Sequence, residues 1–225
     1  MNNPGRGLNR YAIWQLRYSP INLNELYIAL EKYPIKDIAK LLIYGFTSGI
    51  NMNYSVPKLP LDTNKLKCVL QYHVAANERV QHEITLGRIA RSFRFRTILN
   101  LRSSRIGLIP KKTSDWSLIT HLYYPYGYWV TEFLDETLAT VQYSKCNNII
   151  SIIQTLGEHA KIGKIYIKSA FRPVPCYPGD FDLLGCIIGY MYYNDKCMPM
   201  GCSISCSTFQ HFSTFLQWLF RKYMD

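Results

Sequence analysis

The sequence predicts an α+β fold, on three observations. Apolar residues recur at helical spacing up to about residue 90, short runs rich in Ile, Leu and aromatics between turn signals follow, and no segment repeats. With 225 residues, 48% hydrophobic and 18% charged, the chain can bury a sizeable core without disulfide staples. That composition excludes disordered, collagen-like and coiled-coil classes.

The elements follow in order. Leu23, Leu26, Tyr27 and Leu30, then Ile38, Leu41, Leu42 and Gly45, lie at helical spacing on either side of Pro34 and predict a helical hairpin. Its charged residues, among them Glu25, Glu31, Lys36 and Lys40, read as solvated surface. Residues 47–63, with Gly49, Pro57, Pro60 and Asp62, read as a linker, and a boundary near residue 60 divides a helical N-terminal segment (1–60) from the remainder (61–225). Residues 64–72 and 76–90 are helix-compatible, the second with Val80, Ile84 and Gly87 on one face.

Beyond residue 90 the period changes, and residues 97–101, 105–109 and 116–122 read as strands. Ile149, Ile152, Ile153 and Leu156 give a helix that Gly157 closes, and 164–168 is a short strand candidate. Residues 183–188 and 191–195 form a hairpin turning at Gly189 and Tyr190, and Phe209, Phe212, Leu216 and Leu219 mark a last helix.

Twenty-six Lys and Arg against fifteen Asp and Glu leave a charge of +11, which favours a polyanionic partner, most simply nucleic acid. Charge alone does not separate nucleic acid from anionic lipid. The start, MNNPGRGLNRYA, lacks the features of a signal peptide or a myristoylation site, and no run approaches the ~18 apolar residues of a spanning helix. An intracellular protein, nuclear or cytoplasmic and without a membrane partner, is expected. The seven cysteines are odd in number and include no C-x2-C pair, so free buried thiols are expected. Cys197, Cys202, Cys206 and His211 fit no common tetrahedral spacing, and no metal site is assigned to them.

Between residues 88 and 112 stand Arg88, Arg91, Arg94, Arg96, Arg102, Arg105, Lys111 and Lys112, without one carboxylate. Phe93 and Phe95 interleave with them, a composition suited to neutralising phosphates while flat side chains touch bases. Arg91, Arg94, Arg96, Arg102 and Arg105 are therefore candidate nucleic-acid contacts; the plainer reading is a solvated strand face with two core phenylalanines. His121 reads as a strand histidine rather than a general acid or base, since no nucleophile stands at a telling spacing. Neither a Gly-rich phosphate loop nor a dinucleotide fingerprint is present.

Residues 164–209, KIYIKSAFRPVPCYPGDFDLLGCIIGYMYYNDKCMPMGCSISCSTF, resemble the reverse-transcriptase domain of DIRS-like, tyrosine-recombinase retrotransposons. In that family a palm strand reads D-x-K-S-A-F-R, and a hairpin ends in a D-K-x-L-P-F-G turn before a helix. Upstream, EITLGRIA (83–90), NLRSSRIGLIPKK (100–112) and WSLITHLYY (116–124) resemble the family's finger strands, so the likeness covers residues from about 20 onward. The resemblance implies the fingers and partial palm of a right-hand polymerase, preceded by the helical N-terminal segment. It also implies an RNA or DNA primer–template and deoxynucleotides as partners, and Mg2+ as cofactor.

In such polymerases two metal ions held by carboxylates activate the primer hydroxyl and neutralise the triphosphate. The position of the family's first metal Asp holds Tyr166. A phenol titrating near ~10 is neutral at physiological pH and cannot replace a hard anionic oxygen. The Arg of the family's W-R-x-I strand is Ser117 here, and the second carboxylate pair, in an x-D-D turn, would fall beyond Asp225. No catalytic residue or metal ligand is therefore assigned, and Mg2+ is expected not to bind. Asp180, Asp182 and Asp195 read as turn, helix-cap and hairpin-end residues.

The nucleotide pocket carries over further than the reaction. Phe171 matches the aromatic steric gate under the sugar, a position equally compatible with a core Phe. Pro199 and Gly201 match the P-F-G turn with Met200 replacing the aromatic, and Lys111 and Lys112 match the family's P-K-K. Arg172 matches the last residue of D-x-K-S-A-F-R, with no role assigned. The expected function is part of a retrotransposon RNA-directed DNA polymerase that has lost activity. The alternatives are a non-catalytic nucleic-acid-binding module and an inert fragment.

Overall fold

A computed structural model of the chain describes residues 10–15, 19–64, 66–96, 98–112, 115–163 and 165–224. After a short helix α1 (Arg10–Gln15), the first two apolar stripes form α2 (Leu23–Glu31) and α3 (Lys36–Ser48), with Pro34 between them. The Asn22 side chain caps α2 by accepting from the amides of Asn24 and Glu25, and Leu26 and Leu30 turn inward one helical turn apart. On α3 the buried stripe is Ala39, Leu42 and Phe46. Gly49 stops α3 at φ +91°, where a Cβ would lie 2.5 Å from the Cys176 carbonyl oxygen.

The chain then forms β1 (Leu61–Asp62), α4 (Lys67–Gln71), α5 (His73–Thr85), β2 (Arg102–Ser103), β3 (Arg105–Pro110) and β4 (Trp116–His121). It continues as α6 (Cys146–Leu156), β5 (Gly185–Ile188), β6 (Met191–Asn194) and α7 (Ser203–Met224), with 3-10 turns at Val130–Phe133, Glu136–Ala139 and Pro178–Leu183. One sheet runs β1-β2-β5-β6, parallel at its first two junctions and antiparallel at the last. β3 and β4 pair antiparallel in a sheet of their own, in the register Ile106↔Thr120. The architecture is mixed α/β.

Three expected elements come out differently. The helix expected over 76–90 starts at His73 and ends at Thr85, because the Leu86 amide still reaches His82 while Gly87 turns to positive φ and redirects the chain. The strand expected at 97–101 is a turn over residues 98–101, closed by the Leu101 amide on the Ile98 carbonyl; Thr97 lies outside the described residues. The strand expected at 164–168 has no regular structure at 165–167. A strand persists only with a ladder partner, and Ile165 and Tyr166 face solvent without one; Lys164 lies outside the described residues.

The main core gathers residues from Ile13 through Phe46 and Met52 to Phe215. Tyr33 meets Phe215 edge-on at 5.4 Å, and Phe46 meets Phe212 at 5.1 Å, so aromatic contacts hold α7 against the first helices. The stretch expected as a linker is anchored there: Ile50 bridges to Cys176, and Met52 is fully buried. A second cluster packs α4 and α5 on the two sheets through Val69, Ala76, Val80, Ile106, Leu108 and Ile188. Among the described residues no helix is long and apolar enough to cross a membrane.

Candidate functional site

The buried stripe of α5 is Ala76, Val80 and Glu83, spaced at i, i+4 and i+7, so helical geometry carries a carboxylate into the interior. It meets a guanidinium. Arg172 lies in a turn whose amide bonds back to the Ser169 carbonyl at 2.8 Å, and Ser169 adopts φ +55° to make that turn. From there Arg172 Nε donates to Glu83 at 3.1 Å and Nη1 to Asp195, just past β6, at 2.6 Å. Arg88 approaches Glu83 at 3.5 Å and Arg79 at 4.0 Å.

Burial works against the Arg172 charge, but the fields of Asp195 and Glu83 outweigh it and hold the guanidinium above its ordinary pKa. For Asp195, burial outweighs the pull of Arg172 and pushes the carboxyl up. A node of this kind ties α5, the Arg172 turn and the end of β6 together, because removing one partner strands the others out of water.

Above the node lies a cavity of about 80 Å³. Its walls are Lys111 after β3, Ser117 and Thr120 on β4, Phe171 and Met200, with Arg79 and the Arg172–Asp195 pair closing one side. The structure thus brings together Lys111 and Phe171 of the expected nucleotide-binding residues, with Met200 beside Gly201. Lys112 is exposed and does not line the cavity. At roughly 30 Å³ per water the space holds a few waters, whereas ligand pockets run from about 300 Å³.

Two of these residues have duties within the chain. Phe171 is half-buried and meets Phe209 edge-on at 5.9 Å, serving as cavity wall and core together. Gly201 sits at φ +105°, where a Cβ would run into the Thr120 carbonyl oxygen, and the Thr120 amide donates to the Met200 carbonyl at 3.2 Å. The close approach that requires glycine there is to β4 of the same chain.

Tyr166 is 81% exposed, lies outside the cavity and stands in irregular backbone. The aspartates on which a divalent cation could draw are engaged. Asp180 accepts from the Met52 amide and Lys58, both at 2.7 Å. Asp182 takes a two-pronged contact from Arg10 at 2.6 and 2.9 Å. Both lie in the 3-10 turn Pro178–Leu183, as turn residues, and serve there as buried ion-pair anchors as well. Among the described residues no cluster of three His, Cys, Asp or Glu could hold a metal ion, and exposed Tyr166 offers no carboxylate oxygen to one.

The basic segment divides. Arg91 and Arg94 are exposed. Arg96 turns back onto Asp62 at 2.8 Å. Arg105 lies 3.3 Å from the centre of the Tyr124 ring. Arg102, expected as a nucleic-acid contact, is 5% exposed: its strand is interior to the sheet, so the side chain is covered, and burial lowers its pKa. Among the described residues its Nε and Nη2 have no hydrogen-bond partner. Lys111 pairs with Asp115 at 3.2 Å, so part of its charge is spent locally.

All seven cysteines are free, four of them buried, and burial raises the Cys186 thiol to about 12 and those of Cys197 and Cys202 to about 11, which makes them packing groups. His121 ends β4, and among the described residues its Nδ1 has no hydrogen-bond partner. Sequence reasoning missed the Arg172–Glu83–Asp195 node; extending the α5 stripe back to Ala76 would have put Glu83 on the buried side.

No protein-family model matches this sequence, and no curated protein matches it significantly. Solved structures do match by shape. The chain is similar to the prototype foamy virus protease–reverse transcriptase, in its selenomethionine-labelled CSH mutant, with a TM-score of 0.53 at 13% identity. To the native form of that protein the TM-score is 0.51 at 14% identity. Each likeness covers 92% of this chain and 28% of the viral chain. The chain therefore has a reverse-transcriptase-like fold, corresponding to a minor part of the viral protein's length.

Proposed function

We propose that this chain is part of a reverse transcriptase of the DIRS-like retrotransposon type and that it holds nucleic acid without extending it. Residues 61–225 supply fingers and partial palm behind the helical N-terminal segment. The likeness in shape and the ordered motifs from EITLGRIA to MPMG support the polymerase origin. The observation that carries the loss of activity is Tyr166: at the position where the family's motif requires a metal-binding carboxylate stands an exposed phenol with no carboxylate oxygen. The small cavity, lined in part by the Arg172–Asp195 pair, supports the same reading. Mg2+ then has no anionic ligand at that position, and the RNA or DNA primer–template is held by phosphate contacts from Arg91, Arg94 and Lys112.

The test joins two measurements on the full chain. Fluorescence anisotropy with a labelled primer–template at increasing salt is expected to show affinity falling linearly on a log–log plot. The same sample with Mg2+ and deoxynucleotides is expected to leave the primer at its starting length. Binding that is absent or indifferent to salt overturns the first half of the proposal, and primer extension overturns the second.

A further inference from the structure

We propose that Phe95 is a stacking platform for an unpaired base, flanked by Arg91 and Arg94 as phosphate contacts, so that the 91–96 loop grips single-stranded nucleic acid. The inference rests on the nucleic-acid reading above and adds the strand type and the residue that selects it. The structure separates two phenylalanines that the sequence leaves equivalent. Phe93 faces inward: its amide and carbonyl exchange hydrogen bonds with Tyr192 at 2.9 and 2.8 Å, and its ring packs on the main core. The backbone then bends at residues 94 and 95, and Phe95 emerges 79% exposed.

The loop is fastened on both sides of that ring, at Phe93 by the Tyr192 bridge and at Arg96 by Asp62 at 2.8 Å and the Leu101 carbonyl at 3.2 Å. Phe95 is thus held out in water by a pinned backbone, which lowers the entropy lost when a base settles on it. The nearby carboxylate is also spent. Asp62 accepts from Ser103, Arg96 and Tyr192 together, and these bonds outweigh burial and hold its pKa below the ordinary value. Among the described residues neither Arg91 nor Arg94 has a carboxylate partner, and Arg91 meets only the face of the Phe93 ring, at 5.9 Å, so neither charge is neutralised within the chain.

Two exposed arginines in one short loop with a protruding ring match a strand whose bases are splayed rather than stacked. In a duplex the base faces are covered by their neighbours, which leaves the ring nothing to stack on. Exposed Leu99 adds apolar surface in the same segment, which makes an anionic lipid surface the rival occupant.

The experiment measures anisotropy of a labelled oligothymidine and of a duplex of equal length with the full chain. The single strand is expected to bind more tightly. Phe95→Ala is expected to weaken single-strand binding about tenfold while leaving the salt slope unchanged. Phe95→Trp is expected to keep the affinity and show quenched emission on binding, and Arg94→Ala to reduce the slope by about 0.7. Wild-type affinity in Phe95→Ala, or an unquenched Trp, overturns the stacking inference and leaves the function reading standing. Failure of the wild-type chain to bind either nucleic acid overturns both. Binding confined to phosphatidylserine vesicles, and lost in Phe95→Ala, overturns the inference in favour of a lipid surface.

Discussion

Arg172 holds buried Glu83 and largely buried Asp195 at once, and its removal would leave Asp195 without its ion-pair partner and Glu83 with only the longer contacts from Arg88 and Arg79. Arg172→Met is therefore expected to destabilise the fold by about 3–5 kcal/mol, read from chemical denaturation, because stranded buried charges cost more than the pair contributes. A loss below about 1 kcal/mol would mean that water reaches the node. His211 offers a pH readout. Burial lowers its pKa from 6.5, so the unfolded chain binds more protons than the folded one between the two values. Stability is expected to fall as pH drops below about 6.5, and His211→Gln to remove part of that loss when melting temperatures are compared across the window. At this scale the sequence was only partly legible. The family motif singled out Phe171 and Lys111, and the two line one cavity. The fate of each arginine was not legible: Arg94 and Arg102 look alike in a string, and only the sheet order shows that one is in water and the other covered.

Helices announce themselves by period, which is why α2, α3 and the Gly157 stop of α6 agree with the reading of the sequence. Strands depend on partners remote in sequence. Residues 165–167 lie in a segment of strand composition yet have no ladder neighbour among the described residues, while β1 and β2 are two residues long, too short for any alternation to register. What covers an apolar stripe is likewise not written locally. α6 carries no charge and a clear Ile and Leu face, yet none of its residues is buried. Ile152→Ser, at a side chain 58% exposed, is expected to change stability by no more than about 0.5 kcal/mol, whereas Leu42→Ala in the core of α3 is expected to cost about 2–5 kcal/mol. Thermal melts of the two variants distinguish these cases, and a large loss at Ile152 would mean that α6 is covered in solution.

Over the whole molecule, a net charge of +11 accompanies a reverse-transcriptase-like fold, and the proposed reading joins the two in a chain that holds nucleic acid without extending it. The general architecture was legible because several motifs stand in order along the chain, which no single motif could have established. The cavity's size was not, since it depends on how Arg172 turns. The most direct test adds Mn2+ or Mg2+ and deoxynucleotides to the wild-type chain saturated with primer–template, and resolves the products on a denaturing gel. The account predicts that the primer stays bound and gains no nucleotide with either ion; extension by even one nucleotide under those conditions would contradict it.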